Sequence, residues 1–322
     1  MENETEQLSF AEVLAELLTA EDIPFKHLKR LSDLSDADVQ TVQHQWVAAE
    51  DERRHAVTRH LADISEDDFV VDFSRFFGYC LQDTYPPVRI AALDGLWDAD
   101  DLKIMAAIIA LLQNDESHEV RAAAAAALSH YLMMAQWGEL PDAIEPLLIK
   151  VLLEAYNHPD AVLATRRAAL EALGVINTEQ ISQLLADAYE SGSYEMQLSA
   201  VFAMGNSADP RWVTIVIDEM ESPYEEMRAI AARSAGEIGS SDFSSSLTDL
   251  VLDEDEDVAL NAIAALGKIG DAHALEILDD FLHDPDLEEL HDAIDDAVSE
   301  AQMMSLDFDL DDIFGDDWQP PH

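Results

Sequence analysis

Met227-Arg228-Ala229-Ile230-Ala231-Ala232-Arg233-Ser234-Ala235-Gly236 and Val258-Ala259-Leu260-Asn261-Ala262-Ile263-Ala264-Ala265-Leu266-Gly267 stand 31 residues apart and share one plan. An apolar residue and a neighbour lead into an Ala-rich stretch that closes on Gly. Counted from the leading residue, the apolar positions 0, 4, 5 and 8 fall on one side of a helix of period 3.6. Working outward, the plan recurs at Met196-Gln197 to Met204-Gly205, Thr165-Arg166 to Leu173-Gly174, Val120-Arg121 to Leu128 and Val88-Arg89 to Leu96. Outlying copies are Leu290-His291 to Val298 and, more weakly, Arg53-Arg54 to Leu61. The second position therefore falls at 54, 89, 121, 166, 197, 228, 259 and 291, in steps of 35, 32, 45, 31, 31, 31 and 32 residues. A fixed period of this size marks an array of supersecondary units.

Each copy is preceded by a second amphipathic stretch, such as Ile104-Met105-Ile108-Ile109-Leu112, Ile181-Leu184-Leu185-Ala188 or Leu275-Ile277-Leu278-Phe281-Leu282. Two helices and two turns fill about 31 residues, and the turns carry His158-Pro159-Asp160, Asp209-Pro210, Ser222-Pro223 and Asp284-Pro285. Strand-type alternation is almost absent. The expected fold is all-α: an α-solenoid of about eight stacked helix pairs, each burying its face against its neighbours. Residues 1–35 differ from the copies. Ser9-x-x-Glu12 is a capping box ahead of Val13-Leu14-Leu17-Leu18, and Phe25-Leu28-Leu31-Leu34 follows Pro24, so this segment is expected to be an N-terminal helical cap. The array then spans 36–304, and 305–322 is expected to be a flexible acidic-aromatic tail.

The pattern resembles the HEAT-like repeats of the type described in phycobilisome lyases. The resemblance rests on the Val-Arg-x-x-Ala-Ala-x-Ala-Leu-Gly helix and on an Asp six residues before its Arg. Asp83/Arg89, Asp115/Arg121 and Asp160/Arg166 keep that pair, which the resemblance implies is an ion-pair ladder between successive turns. Later the pattern decays, with Gln197 and Ala259 in place of the Arg and Ser191 and Ser222 in place of the Asp. Such repeats serve scaffolds, adaptors and a few enzymes, so the resemblance implies a fold far more than an activity. Deoxyhypusine hydroxylases place several His-Glu pairs just after the repeat Val-Arg. This chain has one, His118-Glu119, and it precedes Val120-Arg121, so no di-iron shell is expected.

Charge excludes more than it identifies. The 322 residues are 48% apolar, enough for a large core, yet Lys and Arg total 17 against 68 Asp and Glu, a formal net charge of -51. Phosphate neutralisation requires a basic surface, so no nucleic-acid partner is expected, and an anionic membrane face is disfavoured for the same reason. No run of about 18 apolar residues occurs and Met1-Glu2-Asn3-Glu4 is unlike a basic signal-peptide start, so a soluble cytoplasmic protein is expected. The acidity fits a strongly basic protein partner or a salty cytoplasm; 5 Lys against 12 Arg and 39 Asp against 29 Glu lean to the second. The run Asp253-Glu254-Asp255-Glu256-Asp257 is expected to be a solvated turn capping the next helix.

No phosphate-cradling Gly motif, Gly-x-Ser-x-Gly elbow or His-Glu-x-x-His pair is present, and no catalytic, cofactor-binding or metal site is expected. Cys80 lies in the apolar run Phe76-Phe77-Gly78-Tyr79-Cys80-Leu81 and is expected to be buried and inert. The arginines and histidines at 53, 54, 55, 59 and 60 form a local basic patch that can pair with the protein's own carboxylates. Positions 2 and 6 of each copy should face the concave groove, which puts Leu198, Phe202 and Leu260 in an apolar strip beside Arg233. The tail carries Phe308, Ile313, Phe314 and Trp318 among acidic residues, as in segments that bind through apolar side chains kept solvated by charge. Asp307-x-Asp309-x-Asp311 lacks the Gly and Glu that a calcium loop needs. The 45-residue step hides about 14 extra residues near 131–144, with Met133, Met134, Trp137 and Pro141, which form either a longer helix with a folded-back loop or a binding loop. The expected function is a non-catalytic protein-interaction scaffold or adaptor using the groove and the tail. The alternative is a lyase-like helper or chaperone for a chromophore-carrying or strongly basic protein.

Overall fold

The computed structural model describes residues 8–68, 70–191 and 193–314, the last eleven of these by their backbone alone. Seventeen α-helices and four short 3-10 turns make up the regular structure, with no strand among the described residues. In the first of two compact units, Met1–Ala172, the helices are α1 (Phe10–Thr19), α2 (Asp36–Trp46), α3 (Asp51–Asp67), α4 (Ser74–Cys80), α5 (Pro86–Asp94), α6 (Leu102–Asn114), α7 (His118–Gln136), α8 (Ile144–Asn157) and α9 (Leu163–Leu173), whose last residue begins the second unit. The second, Leu173–His322, holds α10 (Glu179–Tyr189), α11 (Tyr194–Asn206), α12 (Val213–Met220), α13 (Glu225–Ile238), α14 (Ser244–Leu250), α15 (Glu256–Ile269), α16 (Ala272–Leu282) and α17 (His291–Phe314). Eight helix pairs, α2/α3 through α16/α17, follow the N-terminal α1, as the repeat count predicts.

The second helix of each pair builds the core. In α5, α7, α11, α13 and α15, positions 0, 4, 5 and 8 are all buried: Val120, Ala124, Ala125 and Leu128 in α7, and Val258, Ala262, Ile263 and Leu266 in α15. Within the first unit α5 packs between α3 and α7; within the second, α13 packs between α11 and α15, and α15 also meets α17. A terminal Gly allows the close approach in four successive copies. A Cβ on Gly174 would lie 2.7 Å from Ala203 Cα, on Gly205 2.7 Å from Ser234 Cα, on Gly236 2.9 Å from Ala265 Cα and on Gly267 2.9 Å from Ala297 Cα. Four consecutive glycines thus meet the helix of the next repeat backbone to backbone, which a larger residue would prevent.

Local signals hold at the ends. Ser9 Oγ accepts the Glu12 N–H at 3.3 Å while Glu12 Oε2 accepts the Ser9 N–H at 2.8 Å, completing the capping box, and Ser35 with Asp38 forms a second one before α2. Val13, Leu14, Leu17, Leu18, Leu28, Leu31 and Leu34 are buried. Phe25 differs, being 61% exposed and set edge-on to His60. The extra residues of the long step lengthen α7 to 19 residues and then form the loop 137–143, where Gly138 has φ +76°. Tyr131 and Leu132 of the extension are buried, whereas Trp137 is 65% exposed. At the other end α17 continues through Phe314, past the expected tail boundary at 305, because no Gly or Pro interrupts its sequence before that point.

Candidate partner-binding surfaces

The ladder links successive turns at three places, and its register differs from the sequence expectation. Arg89 does not pair with the Asp83 carboxylate; its Nη1 donates to the Asp83 main-chain carbonyl at 2.6 Å, and its Nη2 reaches the carboxylate of Asp115 in the next repeat at 2.7 Å. The Asp83 carboxylate belongs to the preceding repeat, accepting Arg54 Nε at 2.8 Å and Nη2 at 2.9 Å, the Trp46 indole N–H at 2.7 Å and the Tyr85 N–H at 2.8 Å. Arg228 repeats the arrangement, with Nη1 on the Ser222 carbonyl at 3.0 Å and Nε and Nη2 on Asp253 at 2.7 and 2.9 Å. The reason is geometric. The arginine side chain spans the turn before its own helix, so the carbonyl six residues back lies under one nitrogen and the fork extends beyond it to the next turn.

Two rungs were therefore missed, Arg54–Asp83 and Arg228–Asp253. The decayed copies gave the signal, because Asp253 persists ahead of Ala259, which has no arginine to need it. Asp253 thus does more than sit in a solvated acidic turn, while Asp255 of the same run caps α15 through the Val258 N–H at 3.2 Å. Burial opposes the Asp83 charge, yet the Arg54, Tyr85 and Trp46 hydrogen bonds outweigh it and hold the carboxyl below its ordinary range; the Arg228 hydrogen bonds do the same for Asp253. Arg121 and Arg166 form no carboxylate rung. Arg121 donates to the Asp115 carbonyl at 2.6 Å and meets His118 Nδ1, and the Arg166 guanidinium stands 5.0 Å from the centre of the Tyr156 ring.

The positions expected to face the groove differ in exposure from copy to copy. In the second unit, Phe202 and Leu260 are half-buried, and the Arg233 guanidinium lies 4.2 Å above the Phe202 ring. Arg233 Nη2 donates to Asn206 Oδ1 at 3.1 Å, Glu237 lies 3.7 Å away, and Lys268 Nζ meets the same Glu237 at 2.7 Å. Leu198 is a correction. It is 2% exposed, because α11 is enclosed over most of its circumference, with Met196, Ser199, Ala200, Val201, Ala203 and Met204 also buried. In place of the expected apolar strip there is a cation stacked on one aromatic ring.

In the first unit the sequence reading missed a larger opening. A cleft of about 400 Å³ is lined by Arg59, Trp97, Ala123, Ala126, Ala127 and His130, among others. Its floor is the Ala run of α7. Trp97, 40% exposed, and the Arg59–Asp94 pair at 2.6 Å also border it, together with Glu66. Trp97 stands where later copies have their Gly, and that exchange was the legible signal. Phe308, Ile313 and Phe314 fall on the last turns of α17, where only the backbone is described, and Trp318 lies outside the described residues.

The family model for HEAT repeats matches residues 75–149 and 213–297. The chain carries HEAT repeats. Among solved structures, the complex of CpcE and CpcF of phycocyanin lyase from Nostoc sp. PCC7120 is similar at 17% identity, over 87% of this chain and 96% of that one, with a TM-score of 0.54. The Escherichia coli protein YibA is similar at 17% identity over 94% and 99% of the two chains, with a TM-score of 0.42. Human deoxyhypusine hydroxylase gives 17% identity over 91% and 96%, with a TM-score of 0.31. No curated protein matches the sequence significantly. At 17% identity the likeness to the phycocyanin lyase complex shows the solenoid fold alone.

Within the HEAT array, the thiol of Cys80 is fully buried against Thr58 Oγ1 at 3.9 Å, and burial pushes its pKa well above the ordinary value. The basic patch of α3 is consumed internally: Arg54 pairs with Asp51 and Asp83, and Arg59 with Asp63 and Asp94. Among the described residues no helix is long and apolar enough to cross a membrane, and no three His, Cys, Asp or Glu side chains are grouped as a metal would require.

Proposed function

We propose that this HEAT-repeat chain is a non-catalytic interaction scaffold, and that it takes a protein or peptide partner on the open face of its second helices. The observation that carries this reading is the cleft at α5 and α7, where an Ala floor and the partly exposed Trp97 form a smooth channel with an aromatic anchor on one wall. Aromatic anchors over small-residue floors suit a helix or extended segment with apolar side chains. The Phe202–Arg233 stack offers the second unit a recognition point of related chemistry. A non-catalytic role is favoured by Cys80, the chain's single thiol, being buried and held protonated. Surplus negative charge on the surface favours a partner with basic residues and repels nucleic acid and anionic lipid.

The test compares proteins captured from host lysate by the full chain and by Ala126→Arg, which places a bulky cation on the exposed cleft floor without touching the buried positions. Loss of a specific partner with Ala126→Arg, and its retention by a chain ended after Ser305, supports the open face. Identical captures by Ala126→Arg, Phe202→Asp and the parent chain refute it.

A further inference from the structure

The ladder is interrupted at Arg121, and the interruption is open. Arg54, Arg89 and Arg228 each place Nη1 on a main-chain carbonyl at 2.7, 2.6 and 3.0 Å and turn the fork toward an Asp of the following repeat. Arg121 keeps the first half of that pose, with Nη1 on the Asp115 carbonyl at 2.6 Å. The second half is missing. By position Asp160 is the counterpart of Asp83 and Asp253, since each lies three residues before the next helix, but Asp160 makes no ion pair with Arg121 and its side chain is exposed. Asp83, Asp115 and Asp253 each accept the N–H two residues on, at 2.8, 2.9 and 3.0 Å; at Asp160 the turn is organised instead by its own N–H donating to His158 Nδ1 at 3.2 Å. The long step between these copies accounts for the change. Thirty-nine residues separate Arg121 from Asp160, against 29, 26 and 25 in the three completed rungs.

Where the missing carboxylate would stand there is a cleft of about 360 Å³, lined by Arg121, Leu112, Val151, Ala155, Ala161, His158, Asp160 and Thr165 among others. One end offers a guanidinium whose Nε and Nη2 edge takes a carboxylate in two sibling repeats. His118 engages Nη2, but this nitrogen carries two protons, and Nη2 of Arg54 likewise serves Asp51 and Asp83 together. Leu112, Val151, Ala155 and Ala161 give the cleft an apolar side, with Leu112 and Val151 buried, while Gln113, Glu154, His158, Asp160 and Thr165 line the rest, so that two carboxylates border the space.

We propose that this cleft binds a small monocarboxylate carried on a short apolar body, with the carboxylate completing the rung on Arg121 and the body lying on Leu112, Val151 and Ala155. A net charge of -51 opposes every anion, and each further negative charge on the ligand adds to that repulsion. A single carboxylate is therefore the fitting charge, and phosphates and polycarboxylates are not. This site is independent of the partner-binding face and stands or falls separately.

The test is a methyl NMR titration of the full chain with hexanoate, hexanamide and hexylammonium. Hexanoate is expected to shift the Leu112 and Val151 methyls saturably, with a Kd on the order of 1 mM, as suits a ligand of this size. Hexanamide should bind at least about tenfold more weakly, because it forfeits a charge-assisted bidentate pair. Arg121→Gln should lose the response while Arg166→Gln keeps it. Should Arg121→Gln misfold, Ala155→Phe, which fills the cleft and leaves the arginine in place, must abolish binding instead. Equal affinity for hexanamide, preference for hexylammonium, or no saturable shift up to about 10 mM hexanoate overturns the proposal.

Discussion

Replacing Asp83 with Ala should be among the most damaging single changes in the first unit, for a reason that can be worked from its surroundings. The carboxylate is 3% exposed and the Arg54 side chain 6%, so both charges have left water. Removing the acid strands a buried guanidinium and also frees the Trp46 indole N–H and the Tyr85 N–H. Breaking a buried pair from one side typically costs about 3–5 kcal/mol. Arg54 keeps Asp51 and the Ala49 carbonyl, so the lower end, about 3 kcal/mol, applies. The matching change at Asp253 should cost about 1–2 kcal/mol, because Arg228 is 20% exposed and regains water. Solenoid units can open locally, so the assay is native-state hydrogen exchange. Asp83→Ala should accelerate the slow amides of α3 and α5 on the order of 100-fold, and Asp253→Ala those of α13 and α15 about tenfold. Pairing Asp83→Leu with Arg54→Met should recover most of the loss, since an apolar pair has no charge to strand. If Asp83→Ala accelerates its helices no more than Asp253→Ala does, burial is not what sets the strength of these rungs.

Gly205→Ala should destabilise by about 1–3 kcal/mol, because the new methyl would meet Ser234 Cα at 2.7 Å; Gly239→Ala, with nothing within 4 Å, should lose only the left-handed cap, and equal losses in urea unfolding would refute the close-packing account. Cys80 should resist alkylation in the native state and react only as fast as the α3–α5 region opens, whereas labelling at the rate of a free thiol would contradict its burial. Because the Asp83 and Asp253 carboxyls are depressed, their contribution is complete above the ordinary carboxylate value of about 4 and is lost as pH falls through their lower folded values. Acid unfolding of Asp83→Ala should therefore be less steep below about pH 4 than that of the parent, and coincident curves would refute the linkage. The Tm should rise with salt, since screening relieves surface self-repulsion among surplus carboxylates while the buried rungs are screened little; a flat or falling Tm would oppose this.

The fold was legible because one helical stripe is repeated with few exceptions. Positions 0, 4, 5 and 8 hold Val, Met, Thr, Ala, Leu or Ile in the central copies and are buried there, so periodicity alone located the core. The ladder was legible in composition but not in register. Asp83 and Arg89 are six apart in sequence, which suggests a local pair, whereas the side-chain reach of Arg joins it to the turn of the next repeat 26 residues on. The face was harder still. Leu198 and Leu260 occupy the same repeat position, yet one is buried and the other half-buried, because exposure there depends on how neighbouring helices close around each copy. Trp97 was overlooked for a related reason: it follows the end of α5, outside the stripe that periodicity examines.

These contrasts share one cause. In a stack of helix pairs, cohesion comes from the inner stripe, the terminal glycines and the rungs, and all three recur because every repeat must meet its neighbours in the same way. Positions 2 and 6 and the turns are under no such repetition. Ala126, Phe202 and Arg233 all stand at position 6 and offer a methyl, a ring and a cation, while Ala125, Val201 and Ala232 beside them are buried alike. Irregularities on this background are therefore the places at which the proposed binding is to be tested. Three of them are a tryptophan in a glycine's place, an arginine stacked on the half-buried Phe202 ring, and a rung opened by an extended step. Each marks a place where the array departs from what stacking alone requires, and each leaves a surface with its own chemistry.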